Sequence, residues 1–238
     1  MNSTHDDSTI YLCAPVNALV EGIYEQRVTI GEVKKHGDFG LGTFNDLDGE
    51  MVMLDGTVYQ VDSRGSVNTV GDDALTPFAC VTFYKPLTLE DIPHEMDYGA
   101  FLDLVGRLLP SPNLFYALRV EGRFSHIKTR SVPRQENYRP LVDVARDQIT
   151  FDLHNVEGTL AGFYTPAFMS SLNVPGLHLH FLTGDLRHGG HLLECRPTGG
   201  RMGIQFISKL ELSLPMSLDY LTLDFERNVV KDLEQAER

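Results

Sequence analysis

Apolar residues recur at three- and four-residue steps through residues 10–36 (Leu12, Val16, Leu19, Val20, Ile23), the spacing of one face of an α-helix, and predict a helical start to the chain. Residues 30–35 predict a second short helix, with Thr29 as its cap and Gly37 just beyond its end. The run Gly37-Asp-Phe-Gly-Leu-Gly-Thr-Phe44 holds too much glycine to continue a helix. Between 43 and 61, short apolar runs flank Asp48-Gly49 and Asp55-Gly56, two hairpin-turn signals, which predicts a three-strand meander. Residues 78–84 (Phe-Ala-Cys-Val-Thr-Phe-Tyr) read as another strand.

Residues 88–91 are expected to open a helical region, and 98–109 carry apolar residues at helical spacing until Pro110. Aromatic and branched residues dominate 114–129, which predicts one long or bent strand. The stretch 131–140 (Ser-Val-Pro-Arg-Gln-Glu-Asn-Tyr-Arg-Pro) has no period and reads as a linker or crossover. Strands follow at about 148–154, 157–164, 176–183, 189–195 and 202–213, and residues 218–238 look helical and strongly charged.

Strands and helices do not alternate as in a doubly wound fold, so the pattern predicts an α+β protein with mainly antiparallel sheets. The aperiodic stretch divides it into an N-terminal α+β half, residues 1–140, and a C-terminal half, 141–238, with the histidines and a charged tail. The halves share a faint echo. Gly42-Thr43-Phe44 returns as Gly158-Thr159-Leu160, and the Glu50 region aligns with the His191 region, which would let Glu50 and His191 face one site.

With 42% apolar and 22% charged residues in 238, the chain has the composition of an ordinary globular protein. Its formal net charge of −13 opposes binding to nucleic acid or to anionic membranes. Three scattered cysteines (Cys13, Cys80, Cys195) suggest neither a disulfide framework nor a cysteine-rich metal site. The first eight residues are polar and expected to fray. They lack the basic and apolar regions of a signal peptide, and no apolar run is long enough for a membrane span, so a cytoplasmic protein is expected.

Four of the nine histidines lie between 178 and 191. On a strand, residues two apart project to the same face, so His178 and His180 point together while Leu177, Leu179 and Phe181 enter the opposite, apolar face. A reversal through residues 183–190 can return His191 beside them. Three converging imidazoles are a zinc-type arrangement with positions left for substrate or water. His-x-His can also be no more than a polar sheet face. His188 differs in parity from His191 and falls on the other face or in the turn. Arg130 ends the long strand and Glu50 follows the Asp48-Gly49 turn; each alone could be a solvated surface charge. The glycine run 37–42 lacks the preceding strand and the lysine of a phosphate-binding loop.

Several blocks together resemble the alpha-acetolactate decarboxylase family: His36-Gly-Asp-Phe-Gly-Leu-Gly-Thr-Phe-Asn-Asp-Leu-Asp-Gly-Glu50, Lys128-Thr-Arg-Ser-Val-Pro-Arg-Gln-Glu136, Glu157-Gly-Thr-Leu-Ala-Gly-Phe-Tyr-Thr-Pro166, and Pro175-Gly-Leu-His-Leu-His-Phe-Leu with Gly189-Gly-His191. They run in the family's order over about residues 10–195. The resemblance implies a homodimer of two similar α+β halves, with the metal site built mainly by the second. It also implies metal-dependent conversion of 2-acetolactate, a small anionic 2-hydroxy-3-keto acid, to acetoin and carbon dioxide in the acetoin and butanediol pathway. His178, His180 and His191 match the family's zinc ligands, Glu50 and Arg130 its active-site carboxylate and arginine, and Thr43 a position lining the pocket. The family also uses a glutamate from its C-terminal tail; spacing points to Glu237, with Glu234 as a rival.

Loss of carbon dioxide from such a substrate leaves an electron pair that the neighbouring ketone accepts as an enediolate. Zinc can stabilise that charge as a Lewis acid, so no organic cofactor is needed. Arg130 can grip a carboxylate at two points but is a poor acid, which leaves Glu50 and the tail glutamate as candidates for moving the proton. Two other readings fit the same residues: a zinc hydrolase with Glu50 as base, and a metal-binding protein without turnover.

Overall fold

The computed structural model describes residues 7–136, 138–225 and 232–233. The fold is α+β, with two large, mainly antiparallel sheets and a few short helices. One sheet has seven strands in the spatial order Lys209–Leu212, Thr9–Leu12, Ala79–Thr82, Phe39–Thr43, Glu50–Leu54, Thr57–Val61, Val67–Thr69. Within it only the pairing of Thr9–Leu12 with Lys209–Leu212 is parallel. The meander expected over 43–61 forms its centre. Its second turn places Asp55 and Gly56 at φ 50° and 76°, the paired positive values that a two-residue hairpin needs and that Asp-Gly supplies.

The other sheet contains Phe115–Ser131, Ile149–Thr165, Gly176–Thr183, Gly189–Ile207 and the edge strand Thr88–Ile92. Phe115–Ser131 pairs with both Ile149–Thr165 and Gly189–Ile207, and Gly176–Thr183 also bridges those two. The four long strands therefore form a closed ring of pairings, which leaves no free edge among them. The largest apolar cluster joins residues from both sheets, including Leu41, Val52, Ala117, Phe163 and Leu182, so the core lies between them. Helix Tyr98–Leu108, capped by the Asp97 side chain on the Ala100 amide, buries Phe101 and Val105 against a second cluster.

Five expectations from the sequence need correction. Residues 10–36 are not one helical region: Thr9–Leu12 is a strand, and only Val16–Val20 and Ile30–Val33 are helical. Ile10, Tyr11 and Leu12 are all buried, and a strand covered on both faces shows no alternation. Pro15 precedes the first helix, and Gly22 at φ 91° follows it. The second helix does start at Thr29, whose hydroxyl accepts from the Glu32 amide. Residues 88–91 belong to the strand Thr88–Ile92, where exposure alternates. The strands expected at 148–154 and 157–164 are one, Ile149–Thr165, with Asn155 at φ 53° marking the irregularity. Residues 189–213 divide instead at Ser208, where the chain leaves one sheet and joins the other. Of the charged C-terminal helix, Leu218–Thr222 and the pair 232–233 are helical, while 223–225 are not. Residues 226–231 and 234–238 lie outside the described residues.

Candidate metal and active site

Arg130, His191 and His180 occupy one row across three adjacent strands: Arg130 is in register with His191, and His191 with His180. Cross-strand partners share a face, so the three side chains project together, and His178 joins them two residues from His180. All four are buried. Leu179 and Phe181, of opposite parity, enter the apolar cluster on the other side, as strand alternation requires. The turn after Thr183 is tied by its hydroxyl, which accepts from the Arg187 and His188 amides, and it brings His191 back into register. His188 is exposed at a bridge to Ser66, away from this row.

The return depends on Gly190. At φ 137° it sits where side chains are rare, and a Cβ there would lie 2.5 Å from the Arg130 carbonyl oxygen. Glycine thus lets the His191 and Arg130 strands approach closely. The Thr129 hydroxyl donates to the Gly189 carbonyl at 3.0 Å, and the Ser131 hydroxyl to the Val61 carbonyl at 3.1 Å, fixing the strand on both sides of Arg130.

The opposing sheet supplies Glu50 and Thr43, which are in register with each other. The Thr43 hydroxyl donates to the Gly49 carbonyl at 2.7 Å, locking the turn immediately before Glu50. Arg130 Nη1 donates to Glu50 Oε1 at 3.2 Å, and Glu50 Oε2 is 3.5 Å from His180 Nε2. Glu50, Arg130 and the histidines line one cavity with Thr43, whose apolar wall includes Leu47, Phe78, Val132 and Val174. The sequence thus singled out the polar members. It missed the wall residues, whose apolar character is no different from that of core residues.

His178 Nε2 and His191 Nδ1 are 3.2 Å apart, and one nitrogen from each of His178, His180 and His191 lies within 4.8 Å of the others. The Met51 carbonyl, an obligate acceptor, lies 2.8 Å from His180 Nδ1. Nδ1 therefore carries the proton, and the lone pair resides on Nε2, which is buried without a hydrogen bond. A second ring nitrogen anchored to a carbonyl is the usual way a metal-binding imidazole is oriented. Burial pulls His178 down to about 3, with the charge of Arg130 adding to the effect. Burial likewise holds His180 well below the ordinary histidine range, reinforced by His178 and Arg130 and opposed by its bond to Met51. Neutral, buried imidazoles with converging lone pairs can hold a metal ion, and imidazole suits zinc, copper, iron and nickel.

Glu234 and Glu237 fall outside the described residues. Their neighbour Leu233 is fully buried and lines a second cavity together with His178 and His191, which brings the chain close to the histidine group at that point. No helix among the described residues is long and apolar enough to cross a membrane.

Residues 10–227 match the family model for alpha-acetolactate decarboxylase. The alpha-acetolactate decarboxylase of Methanosarcina mazei is 40% identical over 99% of this chain and 82% of its own length. That of Raoultella terrigena is 42% identical over 92% of this chain and 85% of its own. The crystal structure of alpha-acetolactate decarboxylase from Bacillus subtilis strain 168 superposes with a TM-score of 0.94 at 35% identity, covering 97% of this chain and 99% of that one. Matching the family model over residues 10–227 and sharing its fold and nearly its whole length with these proteins, the chain belongs to the alpha-acetolactate decarboxylase family of carboxy-lyases.

Proposed function

We propose that this protein decarboxylates 2-acetolactate to acetoin and carbon dioxide at a zinc ion held by His178, His180 and His191, as a cytoplasmic homodimer. The observation that carries the reading is the row of Arg130, His191 and His180 in register, faced by Glu50 across a buried cavity. Zinc–nitrogen bonds of about 2.0–2.1 Å in a tetrahedral set separate ligand nitrogens by roughly 3.3 Å, and the 3.2 Å between His178 Nε2 and His191 Nδ1 fits that spacing. When bound, zinc supplies Lewis-acid stabilisation for the negative charge that develops as carbon dioxide departs.

The chain's own residues account for the rest. Arg130 offers its guanidinium to a substrate carboxylate, and its planar fork fixes the orientation of that group. Glu50 holds the guanidinium from the other sheet and keeps its second oxygen facing the histidines. A carboxyl group there can move the proton that must reach the carbon left by carbon dioxide, a task for which an always-charged arginine is unsuited. Leu47, Phe78, Val132 and Val174 keep the surroundings apolar. That disfavours the anionic reactant relative to a state in which its charge has spread. Thr43 sets the Glu50 turn.

Offering 2-acetolactate and measuring carbon dioxide and acetoin, with and without a chelator, tests the reading. Both products are expected from untreated protein and neither after chelation. Ester hydrolysis without decarboxylation would favour a hydrolase with Glu50 as base, and bound metal without turnover a binding protein.

A further inference from the structure

The turn between strands Phe39–Thr43 and Glu50–Leu54 carries Leu47 and delivers Glu50 to the cavity. Its backbone is unusual: Asp46, Leu47 and Gly49 have φ of 63°, 53° and 83°. Glycine adopts such values freely and aspartate more readily than most residues, but a bulky leucine does so only when its surroundings demand it. Leu47 is nevertheless buried and forms part of the cavity wall beside Glu50 and Arg130.

Asp46 makes four of the bonds that hold this shape, beside those that tie Asn45 to Gln26, Asp48 to Gln60 and Thr43 to Gly49. Its amide donates to the Tyr24 carbonyl at 2.9 Å, and its own carbonyl accepts from the Gln135 amide at 2.7 Å. Arg134 Nη2 donates to Asp46 Oδ2. The Tyr138 hydroxyl lies 2.6 Å from both Asp46 Oδ1 and Glu25 Oε1, so its single proton bridges the two carboxylates. Arg134, Gln135 and Tyr138 belong to the aperiodic stretch that follows Arg130. The segment bearing Arg130 is therefore fastened to the turn bearing Glu50 at a point outside the cavity, through one residue, by its carboxylate and its backbone carbonyl.

We infer that Asp46 is a positioning residue: clamped by Arg134 and Tyr138, it holds the left-handed turn that seats Leu47 in the cavity wall and aims Glu50 at Arg130. The inference rests on the decarboxylase reading above for its kinetic readout. Displacements well under the length of a bond to substrate are enough to slow an oriented reaction strongly, whereas Arg130 and the three histidines stay on a separate, closed set of strands. Loosening the clamp should thus lower kcat while leaving KM and zinc content nearly unchanged.

The test compares Asp46→Ala, Asp46→Gly, Asp46→Asn, Arg134→Ala and the double variant D46A/R134A as purified zinc-loaded protein. Asp46→Ala loses both the clamp and the tolerance for positive φ, and kcat should fall at least about tenfold with KM within about threefold. Asp46→Gly restores only the backbone freedom and should recover part of the loss. Asp46→Asn keeps the shape and the tolerance for positive φ but offers one acceptor where the carboxylate offers two, so its kcat should fall between those of wild type and Asp46→Ala. The double variant should be no slower than Asp46→Ala alone, because both act through one contact. Full activity of Asp46→Ala or Asp46→Gly, or independent multiplying effects of Asp46→Ala and Arg134→Ala, would overturn the inference. Should Asp46→Ala fail to fold, Arg134→Ala and Tyr138→Phe carry the test, and unchanged kcat in both overturns it. Exchange of the Gln135 amide should also quicken in Arg134→Ala. If wild-type protein does not turn over 2-acetolactate, the decarboxylase reading fails, and this exchange, unchanged or quickened, still decides the clamp.

Discussion

Replacing Glu50 by glutamine keeps the side chain's size and removes its charge from a site where Arg130 lies 3.2 Å away. The two side chains are only 7% and 8% exposed, so water screens the pair little. At that separation, unit charges attract by roughly 5 kcal/mol at an effective dielectric near ~20. Removing one member of a buried pair typically costs about 3–5 kcal/mol, because the other charge stays buried. Glutamine can still accept a hydrogen bond, so the lower end, ~3 kcal/mol, is expected for Glu50→Gln. For a chain of this size that corresponds to a fall in Tm of roughly 6–12 °C, measurable by urea and thermal unfolding of metal-free protein. Zinc content should stay at wild-type level, since no bond from the three imidazoles is touched. Turnover should drop by more than about tenfold, or ~1.4 kcal/mol of barrier. A stability loss below ~1 kcal/mol would show that the pair is not electrostatically significant. Turnover within about threefold, ~0.7 kcal/mol, would make Glu50 a structural residue.

Alanine at His178, His180 or His191 should remove most bound zinc, whereas His188→Ala should keep it; elemental analysis decides, and full occupancy in the three single variants would end the ligand assignment. Gly190→Ala should lose ~2–3 kcal/mol of stability and much of its zinc, because its Cβ meets the Arg130 carbonyl at 2.5 Å; unchanged unfolding would mean the strands part easily. In metal-stripped protein His178 titrates near 3 instead of 6.5, so the unfolded chain takes up the proton first. The stability this gives is complete above about pH 6.5 and declines by ~1.4 kcal/mol per pH unit as pH falls toward 3, with His180 acting in the same direction; a flat profile in denaturation midpoints over this range would contradict it. Glu237→Gln should cut turnover at least about tenfold and Glu234→Gln little, with folding intact in both; the reverse ranking would transfer the role to Glu234.

The histidine geometry was legible because it depends on parity alone: His178 and His180 share a face on any strand, and a reversal after Thr183 returns His191 to it. Arg130 and Glu50 were less legible as a pair. They are 80 residues apart, and what joins them is the packing of one sheet on another, which no local period encodes. Met51 left no signal at all, since its contribution to His180 is a backbone carbonyl that any residue would supply. The start of the chain misled for a related reason: Ile10 and Leu12 are buried on one face of an interior strand and Tyr11 on the other, and there apolar spacing stops reporting the element's period. Residues 88–91 misled because four residues are too few to separate an edge strand from the first turn of a helix. The hairpin at Asp55-Gly56, by contrast, was fixed by a pair whose positive φ is a strictly local demand, whereas Asp48 has φ −74° and the turn around it depends on distant partners.

Stepwise addition of zinc to metal-stripped protein, with acetoin formed from 2-acetolactate followed at each point, tests the central claim most directly. The account expects no activity at the start, a linear rise, and a sharp plateau at about one zinc per chain, the stoichiometry of a single three-histidine site, with no such rise in His180→Ala. Full acetoin production by the stripped protein, or zinc uptake to one equivalent without any acetoin, would contradict it.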